Sequence, residues 1–403
     1  MQTLFSKKIT IAEALGSNLL LLLALYIAWE VYWLSQVGLV AIKWHTHLVF
    51  AFLIGSLLWL PFFLFYRQYK TRLSENILLA ITVLAVLLFL LEMAFCVTGS
   101  KKNYSESRGV SYNSPFYPGN NTFHTWGNYG GKHQLKTPEY SYSRTDNTFG
   151  FADKEWQVKK PDNKIRIFAL GDSFTEGDGA PQDSAYPILL EKILGDRYET
   201  MNAGTCGSDP VFNYYNLEKR LIHYAPDIVL QTISSGDINF DINIRGGFER
   251  FVNDKSLKYK EAPKWEWLYA ISYVSRLFFD ALGMNLESYV SNNNQSENNR
   301  VIQDVLSCYE HLAAKNGFEV WIVLLPIKDE IIANKHAIDY TFIREFAAKA
   351  KHINVIDLLP CYQKGAESPE QFIKTHFWEK DGHHNSKGYQ VMARCIAEEL
   401  LAE

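Results

Sequence analysis

Five cysteines are scattered through this 403-residue chain, and no two form a C-x-x-C pair. That spacing excludes the common zinc cages and thiol redox motifs. There is no G-x-G-x-x-G turn and no Walker loop, so no phosphate cradle for a nucleotide is written into the chain. Internal repeats are absent too, which sets solenoids and propellers aside. The formal net charge is −4 and no basic stripe interrupts it, so nucleic acid is not an expected partner. Neither a metal nor an organic cofactor is implied. Two readings of the cysteines remain: free buried thiols, or one disulfide, Cys308 with Cys361, in an oxidising compartment.

The apolar residues are unevenly spread. Residues 11–34, 46–66 and 76–98 are three runs, each reaching about the 20 residues a helix needs to cross a bilayer. Two more runs follow the first and no small-residue cleavage site is evident, which argues against a removed signal peptide. Residues 1–98 therefore read as an all-α, three-helix transmembrane domain with the lipid bilayer as partner. Lys7 and Lys8 precede the first run, and Arg67, Lys70 and Arg72 lie between the second and third, whereas the first turn has only Lys43. By the positive-inside rule the N-terminus is cytoplasmic and everything after Thr98 lies outside the cytoplasm, periplasmic or extracellular. Trp29, Tyr32, Trp33 and Trp44 fit an aromatic belt at the outer interface. Glu30 and Glu92 fall in the outer parts of their runs. Either they snorkel to the interface or pair with Lys43, His45 or His47, or they line a polar pocket for a lipid-linked or partner group.

Residues 99–161 are rich in Tyr, Asn, Ser and Gly and read as an irregular strap, held down by aromatics such as Tyr112, Phe116, Tyr117, Phe123, Trp126 and Tyr129. The remainder, 162–403, alternates strand-like and helix-like stretches: KIRIFAL, PILLEKIL, YETMNA, VFNYYNLEKRLIHY, DIVLQTI, then VIQDVLSCYEHLAAKN, EVWIVLLP, YTFIREFAAKAK and INVIDLLP. Such alternation is what a parallel sheet requires. An insertion, 245–299, interrupts it. Its stretch KWEWLYAISYVSRLFFDALG reads as one amphipathic aromatic helix, whose roles range from core packing to a lid, a sugar-binding wall or a membrane-facing surface.

The chemistry concentrates at Lys164–Gly177, KIRIFALGDSFTEG. A short apolar run stopped by glycine reads as a strand entering a turn, and it lifts Ser173 to the strand's carboxyl end, where open α/β sheets bind ligands. A serine there needs a base and oxyanion donors to act as a nucleophile. Near the C-terminus, Asp381-Gly-His-His384-Asn-Ser-Lys-Gly supplies a base. On one helical turn, Asp381 at three residues' distance can orient His384, and His383 is its rival. Asp172 and Asp237 read as turn or capping acids. Glu176 lies near the nucleophile without an assignable partner.

These blocks, G-D-S-F-T-E-G, N-A-G-T-C-G, S-S-G-D-I and D-G-H-H-N-S-K-G, come in the order of the SGNH (GDSL-type) hydrolases, and from about Asn147 onward the chain resembles that family. The lead-in T-D-N-T-F-G-F-A-D resembles members found beside polysaccharide genes. The resemblance implies a three-layer α/β/α sandwich with a flavodoxin-like parallel sheet. It also implies Ser173 as nucleophile, His384 as base, Asp381 as its orienting acid, and the N–H groups of Ser173 and Gly207 as the oxyanion hole. One departure stands out: Gly236 occupies the third-block position where the family carries an oxyanion asparagine. Asn239, a backbone N–H, or a hydroxyl of Ser234 or Ser235 then completes the hole, or the site is slow. The expected activity is a membrane-anchored serine esterase removing O-acetyl or other O-acyl groups from an envelope or exported glycan or a lipid-linked substrate. The alternatives are an O-acyltransferase working with a membrane acyl-transfer partner, and a non-catalytic glycan-binding or assembly subunit.

Overall fold

The computed structural model describes residues 49, 59–98, 131–253, 256–257, 265–284, 294–364 and 368–402. The expected span 11–34 lies outside them, and 46–66 is described only at 49 and 59–66. The chain forms two compact units, one of residues 1–119 and 261–289, the other of 120–260 and 290–403.

The first unit is built on the helix Arg72–Thr98. Thr71 and Ser74 start it by a reciprocal exchange: Ser74 Oγ accepts from Thr71 N (2.9 Å) and Thr71 Oγ1 from Ser74 N (3.2 Å). Among the described residues, Arg72–Phe95 is the one stretch long and apolar enough to cross a membrane, and little of it is buried within the protein. The third expected span, 76–98, lies within this helix. Residues 59–69 are also helical and are tied to it by Trp59 Nε1 donating to Thr82 Oγ1 at 2.9 Å.

Glu92 on the long helix neither snorkels nor lines an open pocket. It is buried, and its carboxylate accepts from Tyr273 N (2.6 Å), Val274 N (3.0 Å) and Ser272 Oγ (3.2 Å). Those amides open the helix Tyr273–Ala281, whose free N–H groups and positive dipole end favour a carboxylate. The insertion's aromatic stretch is thus part of this unit, not of the sheet-bearing one. Nor is it a single helix. It breaks at Ser272, extended at φ −143°, whose side chain caps the second helix by accepting from Ser275 N.

In the second unit five strands, β3 (Ile165–Leu170), β4 (Tyr198–Asn202), β5 (Ile228–Ser234), β6 (Glu319–Leu325) and β7 (Ile353–Asp357), form one parallel sheet in the order β4-β3-β5-β6-β7. The chain reverses direction across the sheet between β3 and β5, the switch point of a doubly wound fold. β3 is buried on both faces, as central parallel strands are. Phe168, Leu170, Val229 and Ile322 pack one face beneath the helices Pro210–Asn216, Gln295–Asn316 and Thr341–Ala347. Ile167, Ala169, Leu230 and Val323 pack the other beneath Tyr186–Leu194 and Ser386–Ala402. This is the expected three-layer α/β/α sandwich.

Two expectations are corrected here. The strap is not irregular throughout: β1 (Gly131–Lys136) and β2 (Ser141–Asp146) pair as an antiparallel hairpin, and residues 147–161 lay Phe151 and Trp156 into the core. The disulfide joins Cys361 to Cys395, not to Cys308, which like Cys206 is not disulfide-bonded. Cys361 and Cys395 sit on the helices Leu358–Gln363 and Ser386–Ala402, with Cα atoms 6.1 Å apart. That distance lies inside the range a disulfide spans.

Candidate active site

At the carboxyl end of β3 the chain turns through Gly171 into the short helix Ser173–Glu176. A side chain at Gly171 would put its Cβ 2.1 Å from Thr175 Oγ1, so only glycine fits the turn. Asp172 caps the helix, its carboxylate accepting from Phe174 N at 2.9 Å. This matches its expected turn role. Ser173 is left at the helix start with its side chain facing the loop 377–385.

That loop brings His383, not His384, to the serine. Ser173 Oγ and His383 Nε2 are 2.7 Å apart, and His383 Nδ1 is hydrogen-bonded to Asp381 Oδ1. The loop bends at Gly382 (φ +92°) and then runs extended, with His384 bridging antiparallel to Phe377. In extended chain, successive side chains point to opposite sides. A helical spacing of three residues points to His384, whereas in this extended chain the ring two residues from Asp381 meets both the aspartate and Ser173.

His384 points into the core and is fully buried. Its Nε2 lies 3.0 Å from the Tyr362 hydroxyl, and its ring packs against Phe174, Phe377 and Tyr389. Burial, with His383, His376 and Lys328 nearby, drives its pKa well below the usual histidine value. It stays neutral, and its Nε2 is paired with Tyr362, not with the serine.

Asp381 is oriented from both sides. Besides His383, its Oδ2 accepts from Tyr140 Oη at 2.9 Å. Burial opposes its charge, but the bonds from His383 and Tyr140 outweigh that and hold the carboxyl below the ordinary aspartate range. Tyr140 belongs to the strap hairpin and has no counterpart in the sequence reading.

Gly207 ends a loop after β4, with φ +69°. Among the described residues, neither its N–H nor that of Ser173 donates to a protein acceptor. Both are thus free to hold an oxyanion. Glu176, unassigned from sequence, shapes this loop: it is buried, its Oε2 accepts from Cys206 N at 3.0 Å, and its Oε1 meets Arg144 Nη2 at 2.9 Å. Burial and the neighbouring Asp178 push its pKa up to about 8, against the pull of Arg144. A second, partly buried group holds the Gly207 carbonyl, which accepts from Arg245 Nη1 at 2.7 Å. Arg245 in turn meets Asp209, paired also with Arg250.

In the third block no side chain stands in for the asparagine. Ser234 Oγ donates to Asp237 Oδ2 at 2.8 Å, so Asp237 is the capping acid expected of it. Ser235 is buried, with its hydroxyl on Glu330. Asn239 is exposed in the π-helical turn Asp237–Ile242, and among the described residues no hydrogen bond joins it to Ser173 or His383. Glu176, Asp178 and Cys206 place their ligand-type atoms within 4.8 Å of one another, but the Arg144 guanidinium already fills the role a cation would take there.

No family model matches this chain, and no curated protein does. Solved structures with similar coordinates include a member of the lipolytic protein G-D-S-L family from Veillonella parvula, at 17% identity and TM-score 0.34, covering 58% of this chain and 97% of that one. A family 3 carbohydrate esterase from Clostridium thermocellum matches at 15% identity and TM-score 0.36, covering 58% and 94%. A two-domain esterase active on acetylated mannans, co-crystallised with mannopentaose, matches at 14% identity and TM-score 0.36, over 59% of this chain and 49% of that one. These scores add no weight to the fold, which rests on the parallel order of the five strands and the helices on both faces.

Proposed function

We propose that the protein is a membrane-anchored serine esterase acting outside the cytoplasm. The observation that carries the reading is the line Ser173 Oγ–His383 Nε2, 2.7 Å, continued from His383 Nδ1 to Asp381. In this mechanism His383 takes the serine proton as Ser173 attacks an ester carbonyl. Asp381 keeps the imidazole in the tautomer whose Nε2 is free to accept and stabilises the imidazolium that forms. The Ser173 and Gly207 N–H groups receive the developing oxyanion. His383 then hands its proton to the leaving alkoxide, and water resolves the acyl-enzyme by the reverse route.

An extracytoplasmic site is supported by the Cys361–Cys395 disulfide, which cytosolic thiol pools would keep reduced. It is also supported by Lys7 and Lys8 ahead of the first apolar run, where the turn before the second carries only Lys43. The substrate class, an O-acyl group on an envelope or exported glycan, follows from the sequence resemblance and from this location. The test is hydrolysis of p-nitrophenyl acetate by the full chain in detergent. Wild type is expected to turn over, Ser173→Ala to be silent, and equal rates in the two would remove the reading. A cysteine placed at Lys160 should react with an impermeant thiol reagent in intact cells. One placed at Arg67 should not.

A further inference from the structure

Two separate parts of the site, the acid–base loop and the oxyanion loop, are tied to one hairpin. Its turn is built by Thr137, whose N–H donates to the Tyr140 carbonyl at 2.9 Å and whose Oγ1 accepts from Glu139 N and Tyr140 N. The turn presents two side chains to the loop carrying Asp381. The Glu139 carboxylate accepts from Lys380 N at 3.0 Å and from Asp381 N at 2.7 Å, fixing the backbone, while Tyr140 Oη fixes the carboxylate. The Tyr140 ring lies 5.4 Å from the Trp378 ring, at the loop's beginning. From β2, Tyr142 Oη accepts from Gly179 N at 3.0 Å, and Arg144 joins Glu176 and Asp178. Glu176 in turn holds Cys206 N, next to Gly207. Asp381 itself is exposed, so burial alone does not hold its rotamer.

We propose that the hairpin Gly131–Asp146 is a clamp for the catalytic machinery. Tyr140 and Glu139 position Asp381 and through it His383, and Arg144 positions the Gly207 loop through Glu176. The clamp rests on the esterase reading above and deepens it. It makes the segment following the membrane-proximal part of the chain a working part of the site, not a tether.

The groups facing Asp381 are His383, Tyr140 and Glu139. Those facing His383 are Asp381, Ser173 and Asp172, with His384 neutral behind it. The Tyr140 hydroxyl takes up part of the Asp381 charge. Without it more charge stays on the oxygen facing His383, so the Nδ1–H bond to Asp381 strengthens. The loop also loses one hydrogen bond to a charged group.

The experiment uses the full chain in detergent and compares wild type, Tyr140→Phe, Asp381→Ala and the double variant. Two readouts are taken: p-nitrophenyl acetate turnover against pH, and the low-field proton resonance of His383 Nδ1–H. Tyr140→Phe is expected to lower kcat roughly threefold to tenfold, the order for one hydrogen bond to a charged group at a partly exposed site. KM should stay unchanged, and the resonance should move downfield. In the Asp381→Ala background the same change should have no further effect on rate, because Tyr140 acts through Asp381. The clamp is overturned if Tyr140→Phe matches wild type in both rate and resonance, or if its rate loss is equally large in the Asp381→Ala background. The resonance reads the contact even in a protein with no measurable turnover, so failure of the esterase reading and failure of the clamp are told apart.

Discussion

Replacing His383 and His384 one at a time separates chemistry from packing within two adjacent residues of the same type. His383→Ala removes the group 2.7 Å from Ser173 Oγ. General-base removal costs roughly 10²–10⁴ in rate, and loss of a triad histidine reaches the upper end or beyond. The ring is partly exposed, so stability should change by less than about 1 kcal/mol. His384→Ala does the opposite. It empties a fully buried site between aromatic rings and strands the Tyr362 hydroxyl. The cavity costs about 3 kcal/mol and the orphaned hydroxyl about 1–3 kcal/mol more, a large share of the roughly 5–15 kcal/mol a domain holds. His384→Phe keeps the ring volume and loses only the bond to Tyr362, so it is the variant to assay. Its turnover of a small aryl acetate should stay within about tenfold of wild type, with a lowered unfolding temperature. A folded but inactive His384→Phe beside an active His383→Ala would refute the assignment of the base.

Removing the disulfide with Cys361→Ser and Cys395→Ser opens a loop of 34 residues. Chain-entropy arguments give a loss of roughly 3–4 kcal/mol, read as a lower midpoint in denaturant, and an unchanged midpoint would show the bond to be unimportant. Stability should also fall as pH rises from about 6.5 to 9, above the range in which the buried, neutral His384 acts in the opposite sense. The Glu176 carboxyl, raised to about 8 by burial and Asp178, favours the folded state while protonated, an effect lost between its unfolded value near 4.5 and about 8. His336, raised to about 9 by Asp357 and Glu330 against the effect of burial, adds stability fully present below about 6.5 and lost through 9. A thermal midpoint that rises across this window would contradict both signs. At Gly236 an added Cβ would meet Ser234 Oγ at 3.3 Å, a tight contact that Gly236→Asn accommodates if that hydroxyl gives by a few tenths of an ångström. With no side-chain donor in that block, the substitution should raise turnover, by up to roughly the 10²–10³ one oxyanion donor is worth. A loss would mean the hole is already complete.

The strand and turn at Ser173 were legible because a buried apolar run ends at a glycine that nothing else can replace. β5, β6 and β7 were legible because parallel strands are written as short Val-, Ile- and Leu-rich runs, whereas β4, YETMN, was legible only from its place in the alternation with helices. The histidine that meets Ser173 was not, because choosing between His383 and His384 depends on whether the chain at that point is helical or extended, and only Gly382's positive φ and the bridge to Phe377 decide it. The hairpin was missed for a different reason. GKHQLK and SYSRTD are polar, half-exposed strands without an apolar face, and the one available signal was the turn chemistry of Thr137-Pro138. Cys395 was overlooked as the disulfide partner because pairing follows helix packing, which spacing does not encode. Glu92 stood out as a costly acid in an apolar run, but its partner lies 181 residues further along the chain.

The central claim is that Ser173 is a nucleophile activated by His383. The most direct measurement is covalent trapping: the full chain is treated with a fluorophosphonate and the modified residue is located by peptide mass spectrometry. The account predicts a single adduct on Ser173, absent in Ser173→Ala, strongly slowed in His383→Ala and retained in His384→Phe. An unlabelled wild type, or labelling that is indifferent to His383, would contradict it.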